Sequence, residues 1–321
     1  MTKEYIEIYK KLLFSKDLKT YAIVDGLRDI EINDKIFLTD LKYIILWDDA
    51  IVDGATEAPL YLIELEKENE LLELLFKKYD KGIATYFQSP YALETLQKYY
   101  STFTYPQVEI EKDNFQKGIF GFYDPRILPN YLETLYTQDK VDEFFAGTAL
   151  WLTPRVEDES LAHFAFRTKR GSFDSVSLTL ENFINEENIS LDFNNISLPT
   201  IEDLAVYSQE RTIDYTQIKL FDEMEKVIFI DKLFIQYKKN NYKVDNQINR
   251  EKVNKLFNEA KSLDIETEAG IYKYILLSFL LDKPLATFSF YQKLLKDIDE
   301  ETKIEIMDDY LSNKIKRGKI I

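Results

Sequence analysis

The sequence contains no cysteine. This absence excludes disulfide bonds, thiolate nucleophiles and cysteine-ligated metal sites. Glycine and proline are also scarce, at 9 and 8 residues of 321, which argues against a linker-rich or disordered chain. The longest apolar run, YILLSFLL at 274–281, is much shorter than the ~20 residues that a membrane-spanning helix needs. We therefore expect a folded protein that has no membrane partner.

Histidine occurs once, as His163 in the alternating run LAHFAFR. No G-x-S-x-G or comparable motif accompanies it, so we interpret this residue as a structural residue of a strand. The sequence also lacks a Walker loop, a G-x-G-x-x-G motif and the kinase signatures. The sequence therefore contains no catalytic motif that would indicate an enzyme. We expect neither a cofactor nor a metal centre.

Acidic residues outnumber basic ones by 57 to 41, which gives a formal net charge of −16. A field of this sign repels nucleic-acid phosphates, so we expect no nucleic-acid partner. The charge would suit a basic protein partner, although solubility is the simpler interpretation. The first residues, MTKEYIEIYKK, contain no apolar core of a signal peptide, and we expect a cytoplasmic protein.

Hydrophobic periodicity predicts an α/β lobe at residues 1–155. Strand-like runs alternate there with helical stripes of about 10–13 residues, an order typical of helices packed on a central, mixed sheet. In 119-IFGFY-123 both alternating faces are apolar, which predicts an inner strand covered on both sides. The α/β fold class therefore rests on this first part of the chain.

The remainder of the chain changes character twice. Residues 156–199 contain a possible hairpin, 161–167 with 173–180, and otherwise predict a connection between lobes. Residues 200–321 show helical spacing and no strand-like alternation, so we expect an all-helical lobe. Its predicted helices span residues 220–237, 247–262, 267–281, 284–297 and 300–315.

The stretch YDPR at 123–126 marks the predicted passage from strand to helix. Asp124 can accept hydrogen bonds from the free N–H groups of a helix at 125–136, and Pro125 suits its first position. Capping does not explain Arg126, because a cation in the first turn faces the positive end of the helix dipole. We therefore predict that a carboxylate near the strand ends holds Arg126, with Asp25 as the leading candidate.

Carboxylates gather where predicted strands end, and ligands often bind there in α/β sheets. These residues are Asp25, Asp48, Asp49 and Asp53. A Mg²⁺ or Ca²⁺ site built from Asp25, Asp48 and Asp49 gives the alternative function, a cation-dependent hydrolase or transferase. Aspartate is also the ordinary residue of turns and caps, so a structural role is the simpler interpretation.

Several short segments stand in the order of a known family. They are YAIVDGLRD at 21–29, IILWDD at 44–49, EAPLYLIELE at 57–66, GIATYFQSPYALETLQKY at 82–99, FGFYDPRIL at 120–128 and VDEFFAG at 141–147. This order resembles the type VI secretion adaptor proteins, also called effector chaperones (Tap or TEC), over about residues 20–153. We interpret the following residues as its structural motif: Asp25, Gly26, Asp48, Tyr123, Asp124, Pro125 and Arg126.

The resemblance implies a non-enzymatic adaptor that binds a secreted effector in the cytosol by the effector's N-terminal segment. Such an adaptor helps to load the effector onto the VgrG spike or its PAAR-type tip protein. A third interpretation is a structural subunit of a larger assembly.

For recognition of the effector we predict an apolar groove in the helical lobe, with acidic side chains that select basic partner residues. Plain core packing is the alternative for each aromatic residue that we assign to this groove. The predicted lining consists of Tyr237, Tyr242, Tyr272, Phe279, Phe288 and Phe290.

Overall fold

A computed structural model of the chain describes residues 1–14, 17–46, 59–156, 158–179, 196–200, 204, 211–224, 226, 229, 250–281 and 285–316. The chain divides into two compact units, residues 1–221 and residues 222–321. The sequence predicted that a helical lobe begins near residue 200, and this domain boundary stays a prediction. Most of the Asn-rich stretch 183–199 lies outside the described residues.

Strands and helices alternate along the first unit. Its described strands are β1 (Lys19–Asp25), β2 (Tyr43–Ile45), β3 (Leu60–Leu65), β4 (Ala84–Ser89), β5 (Gln107–Glu111), β6 (Asn114–Lys117), β7 (Leu150–Arg155), β8 (Asp158–Arg167), β9 (Phe173–Thr179) and β10 (Thr212–Ile213). Its helices with described bounds are α1 (Lys3–Leu13), α2 (Ile30–Phe37), α3 (Glu70–Lys77), α4 (Leu93–Thr104), α5 (Leu128–Glu133) and α6 (Gln138–Phe145).

These strands form two sheets. Seven of them lie in the order β2-β3-β1-β4-β7-β8-β9, with antiparallel pairing throughout. Three others lie in the order β10-β5-β6, where β10 runs parallel to β5 and β6 runs antiparallel to it. The α/β class is confirmed, and the parallel pair belongs to the smaller sheet.

Helices cover both faces of the larger sheet, which explains why its inner strands are apolar on both faces. Successive side chains of β1 point to opposite faces. Ala22 and Val24 pack in a core with residues of α1, α2 and α3. Tyr21 and Ile23 pack in a second core with residues of α4, α5 and α6.

The second core is rich in aromatic residues, which surround Trp151 of β7, and Trp151 is fully buried. The ring of Trp151 lies 4.7 Å from that of Phe87 and 5.5 Å from that of Phe144. Phe122 also enters this core, and its ring stacks on that of Tyr100 at 5.8 Å. Ring pairs of this kind add about 0.5–1.5 kcal/mol each beyond the area that they bury.

The predicted inner strand at 119–123 is wrong. These residues adopt irregular and turn conformations, and the backbone N–H of Asp124 bonds to the carbonyl of Gly121 at 2.9 Å. Phe122 and Tyr123 are buried because they pack in the aromatic core, and burial alone does not distinguish a strand from a buried turn. The helix expected at 125–136 begins later, at Leu128, and Pro129 rather than Pro125 lies in its first turn.

The predicted hairpin after residue 160 is confirmed. β8 and β9 pair antiparallel from Leu161–Thr179 to Arg167–Phe173, and Gly171 in the turn has a φ of 84°. A left-handed φ of this kind costs glycine little, because glycine has no Cβ atom. The hairpin extends the larger sheet beyond β7 and therefore belongs to the first unit.

A buried arginine fastens the end of the first unit to its aromatic helices. Arg211 precedes β10 and is 4% exposed, and its guanidinium lies 4.4 Å from the ring centre of Phe103 and 5.0 Å from that of Tyr99. It also forms an ion pair with Glu143 of α6. Desolvated contacts of a cation with aromatic rings are worth about 2 kcal/mol. Residues 211–221 therefore belong to the first unit.

The described part of the second unit is helical, as the sequence predicted. Its helices with described bounds are α7 (Arg250–Lys261), α8 (Glu268–Leu280), α9 (Tyr291–Leu294) and α10 (Glu300–Lys316). Val253, Tyr274, Leu294 and Met307 lie in its core. The helix expected at 284–297 is wrong, since a short 3-10 turn, Leu285–Thr287, and α9 occupy the described part of that range. Much of the helix predicted at 220–237 lies outside the described residues.

None of the described helices combines the length and the hydropathy that crossing a membrane would require.

The aromatic core predicts unequal effects for two nearby phenylalanines. Phe122 is fully buried and Phe115 of β6 is 47% exposed. Phe122→Ala should lower the free energy of unfolding by about 3–5 kcal/mol, because it leaves a cavity in a packed core. Phe115→Ala is the control and should change it by less than about 0.5 kcal/mol. Urea denaturation followed by tryptophan fluorescence measures both, and equal losses would contradict the packing described for Phe122.

Candidate functional site

The YDPR stretch forms a turn built around a buried carboxylate. Asp124 is 3% exposed, and its Oδ1 accepts the backbone N–H of Arg126 at 2.9 Å and the Nε–H of Arg126 at 3.0 Å. Its Oδ2 accepts Nη2 of Arg126 at 2.7 Å. Asp124 therefore holds the turn closed by bonding the residue two positions later, in the manner of an Asx turn.

A second arginine, Arg28, joins this turn to the end of β1. Its Nε donates to Oδ2 of Asp25 at 3.0 Å, and its Nη2 donates to Oδ2 of Asp124 at 2.6 Å. Its Nη1 also lies 3.4 Å from the carbonyl oxygen of Lys81, beyond α3. One guanidinium thus fastens three separate segments of the first unit.

The predicted pairing of Arg126 with Asp25 is corrected by this geometry. Arg126 bonds the carboxylate of its own turn, and the cation on Asp25 is Arg28, which a 3-10 turn at Gly26–Arg28 folds back onto it. The expected tie between the strand end and the YDPR stretch does exist, through Arg28. The signal was present in the sequence as a basic residue three positions after Asp25, the spacing of one helical turn.

Gly26 has room for no side chain. A Cβ atom there would lie 2.8 Å from Cε2 of Tyr61 and 3.0 Å from the carbonyl oxygen of Pro59. Tyr123 is also confined: it is 8% exposed, and burial, with the charge of Asp25, raises the pKa of its hydroxyl. Asp48 lies outside the described residues.

The buried carboxylates near the end of β1 are each paired with cations. Burial by itself would raise the pKa of Asp124, but the hydrogen bonds of Arg126 and the charge of Arg28 outweigh it and hold that pKa below its usual range. Asp29 shows the same balance: burial opposes ionisation, while Lys78 and Lys81 lower its pKa strongly. Carboxylates held ionised by cations in this way are poor general bases, so the cluster suits architecture better than acid–base chemistry.

The alternative cation site has no support in these residues. The carboxylate of Asp25 bonds Arg28 and the backbone N–H of Leu27 at 3.1 Å. Asp48, Asp49 and Asp53 lie outside the described residues. Within the described ranges, no three His, Asp or Glu side chains are grouped so that they could hold a metal ion.

His163 lies on β8 and is 6% exposed. Its Nδ1 is 3.2 Å from the hydroxyl oxygen of Ser177 on β9. Burial, together with the charge of Arg155, lowers its pKa to about 4. The imidazole is therefore neutral at physiological pH and buried in the sheet, which agrees with a structural residue.

The helical unit contains an open groove of about 470 Å³. Its apolar surface comes from Phe229, from Phe257 of α7 and from Ile271 of α8. Charged side chains complete its described lining: Asp222, Glu223, Lys226, Lys261, Glu266 and Glu268. Acidic groups outnumber basic ones by four to two, and no ion pair joins any of the four carboxylates to a cation in the described part of the chain.

The four described residues among the aromatic residues chosen from the sequence lie outside this groove. Phe290 belongs to the core, and its ring is 4.3 Å from that of Tyr310. Tyr272, Phe279 and Phe288 are half-buried against the same core. Tyr237 and Tyr242 lie outside the described residues, so their assignment stays a prediction.

The sequence analysis did not predict the two aromatic residues of the groove, although each has a recognisable position in the sequence. Phe229 falls between the positions of the helical stripe at 220–237, so its side chain is not accounted for by that stripe. Phe257 stands in a mostly polar helix, NKLFNEAK. Both side chains are partly buried against the core of this unit, so their part in the groove is visible only in the tertiary structure.

Comparison with known proteins identifies one domain. Residues 20–140 match the family model described as Domain of unknown function (DUF4123). This is the domain of type VI secretion effector adaptors, and the resemblance of the sequence segments is confirmed there. Neither a curated protein nor a solved structure matches the chain.

Arg28 should contribute more to stability than Arg126. Arg28 is 24% exposed and joins separate segments, whereas Arg126 is 49% exposed. Arg28→Ala should lower the free energy of unfolding by about 1–3 kcal/mol, because part of the compensation of Asp25 and Asp124 is lost. Arg126→Ala should cost about 1 kcal/mol or less. Thermal or urea unfolding tests this, and a larger loss for Arg126→Ala would refute the role given to Arg28.

The buried imidazole predicts a specific dependence of stability on pH. The pKa of His163 is about 4 in the folded chain and about 6.5 in the unfolded one, so the unfolded state takes up a proton first as the pH falls. Wild-type stability should therefore decrease between about pH 6.5 and 4, by about 3 kcal/mol from this group. His163→Gln should remove that part of the pH dependence in urea unfolding.

Ser177→Ala is the control for this experiment, because it removes the neighbour of Nδ1 and leaves the imidazole in place. It should keep the wild-type dependence on pH. A histidine variant whose stability still follows the wild-type curve would show that other groups cause the loss.

Proposed function

We propose, because residues 20–140 belong to the type VI secretion effector adaptor family, that this protein binds one secreted effector and assists its loading onto a spike. The match to that family is the single observation that carries the proposal. The absence of catalytic motifs in the sequence agrees with a role in binding. We further propose that this binding takes place in the cytoplasm, before secretion.

The groove of the helical unit is the site that we assign to the effector. Its volume of about 470 Å³ is enough for several side chains of a peptide. Phe229, Phe257 and Ile271 offer apolar surface that an amphipathic segment can cover. The effector segment should therefore present apolar residues on one side.

The rim of the groove specifies the charge of that segment. Four carboxylates line the groove together with the apolar residues, those of Asp222, Glu223, Glu266 and Glu268. Lys226 lies over the ring of Phe257 at 5.4 Å and so contributes its charge to the apolar surface. With carboxylates in excess, the groove favours lysine and arginine next to the apolar residues of the partner.

Loading requires release, and the proposed contacts suit it. Charged pairs at a solvent-exposed rim mainly raise the rate of association and are weakened by salt. The apolar contacts give most of the affinity, so their number limits how tightly the effector is held. An adaptor of this kind can protect a segment and still give it up to the VgrG spike or its PAAR-type tip protein.

Charge reversal in the groove tests the proposed site. The double variant Glu266→Lys and Glu268→Lys should weaken binding of the effector encoded next to this chain's gene by about tenfold or more, through like-charge repulsion. Isothermal titration calorimetry with the two purified proteins measures the Kd, and its dependence on salt should become flatter than in the wild type.

The matched control changes the same charge outside the groove. Glu301→Lys with Glu305→Lys alters two exposed residues of α10 and gives the same net charge as the groove variant. It should bind the effector as the wild type does. Equal weakening by both double variants would mean that net charge, and not this groove, governs binding.

A further inference from the structure

Among the described strands, β2 lies at one edge of the larger sheet. No described strand pairs with its outer side, because β2 is the first strand in the order β2-β3-β1-β4-β7-β8-β9. The backbone of Lys42 and of Leu46 bonds to β3, so by alternation the backbone groups of Tyr43 and Ile45 point away from it. Gln97 of α4 donates to the carbonyl oxygen of Ile45 at 2.7 Å.

Three backbone groups therefore remain for a further strand: the N–H and C=O of Tyr43 and the N–H of Ile45. Within the described ranges none of them has a hydrogen-bond partner. The N–H and C=O of Tyr43 can form one pair of hydrogen bonds with an added antiparallel or parallel strand, and the N–H of Ile45 can form one bond of the next pair. An added strand would satisfy all three at once.

The side chains of this edge are apolar, unlike those of the opposite edge. β2 consists of Tyr43, Ile44 and Ile45, whereas β9 carries Asp174, Ser175 and Ser177. Polar and charged residues on an edge strand oppose further pairing, and β2 has none within its bounds.

Exposed apolar residues at the C-terminal end of α2 widen the same surface. Phe37 is 57% exposed and Leu38 is 81% exposed, and the ring of Phe37 meets that of Tyr43 at 6.4 Å. On the opposite face of the sheet, a groove of about 430 Å³ borders Ile44 and includes Leu93 and Glu94 in its lining. Both faces beside the edge can therefore receive side chains of an added strand.

We propose that this β2–α2 surface, formed by Phe37, Leu38 and Tyr43–Ile45, binds an extended segment of another polypeptide by strand addition. Alternate residues of the segment lie on Phe37 and Tyr43 and in the groove beside Ile44, so the segment is apolar at every second position. Asp34 of α2 and Asp40 before β2 are exposed and favour basic residues on that side of the segment, whereas the groove beside Ile44 is lined by two lysines, Lys19 and Lys42, and two glutamates, Glu64 and Glu94. The surface lies within the matched domain and shares no residue with the groove assigned to the effector.

Charge makes a second copy of this chain a poorer occupant than another polypeptide. Pairing of β2 with β2 of another copy would bring the exposed carboxylates of both α2 regions to one interface. Each copy also carries a net charge of −16. Like charges placed together in this way oppose association.

A synthetic peptide tests strand addition in the full chain. The probe is a fluorescein-labelled peptide of alternating valine with lysine or threonine, VKVTVKVT, titrated by fluorescence anisotropy. We expect saturable binding and slower hydrogen exchange of the Tyr43 and Ile45 amides in its presence. An absence of saturable binding, or binding without protection of these amides, overturns the proposal.

Two substitutions at one position separate the backbone bond from the side chain. Tyr43→Pro removes the outward N–H, and Tyr43→Thr removes the ring but keeps that donor. Tyr43→Pro should bind the peptide about tenfold more weakly than Tyr43→Thr, as expected for one lost hydrogen bond with its strand contact. Equal affinities of the two variants would overturn strand addition.

A second pair of variants tests the apolar flank without touching the strand. Leu38→Asp should weaken binding, and Leu198→Asp is the control, since Leu198 is 52% exposed in the same unit and lies outside the surface. Weakening by both variants alike overturns the assignment. Light scattering tests whether a second copy of this chain binds at the edge instead. A dimer that Tyr43→Pro dissociates would place a second copy there and overturn the proposal.

The charge-reversed groove variant Glu266→Lys with Glu268→Lys completes the test. It should bind the peptide as the wild type does, because its changes lie in the helical unit. Loss of effector binding with retained peptide binding, or the reverse, therefore distinguishes failure of the groove proposal from failure of strand addition.

Discussion

The architecture of the first unit depends on covering both faces of one antiparallel sheet. Apolar residues alternate to both sides of β1, so helices must pack on each face to remove them from water. One face is covered by α1, α2 and α3, and the other is filled by an aromatic core around Trp151. A sheet covered on its faces in this way still has edges, and β2 is the edge whose side chains are apolar.

The ionic cluster at the end of β1 follows from the same packing. A turn that carries Phe122 and Tyr123 into the core takes Asp124 below the surface with them. A buried carboxylate is stable only if cations and N–H groups compensate its lost hydration, and Arg28 and Arg126 supply both. The YDPR stretch, whose charges resemble those of a ligand site, is therefore explained by the burial of a turn. Sites that bind other proteins are better sought at surfaces whose hydrogen-bonding groups are unsatisfied.

Two such surfaces have different chemistry. The groove around Phe229 and Phe257 combines apolar surface with carboxylates and suits side chains of a basic, amphipathic segment. The β2–α2 surface offers backbone hydrogen bonds and suits an extended segment with apolar residues at alternate positions. The two proposed sites therefore share no residue and differ in the chemistry by which each would bind a segment.

The sequence by itself determined the fold class, the hairpin of β8 and β9, most of the helices and the family of residues 20–140, because these depend on local periodicity and on the order of short motifs. It could not distinguish a buried turn from an inner strand at 119–123, since both place apolar residues on two sides. Only the tertiary structure decided that Arg28 rather than Arg126 bonds Asp25, that Arg211 joins residues beyond 200 to α4 and α6, and that β2 lies at an edge. Each of these depends on which distant segments meet, and contacts between distant segments leave no period in the sequence.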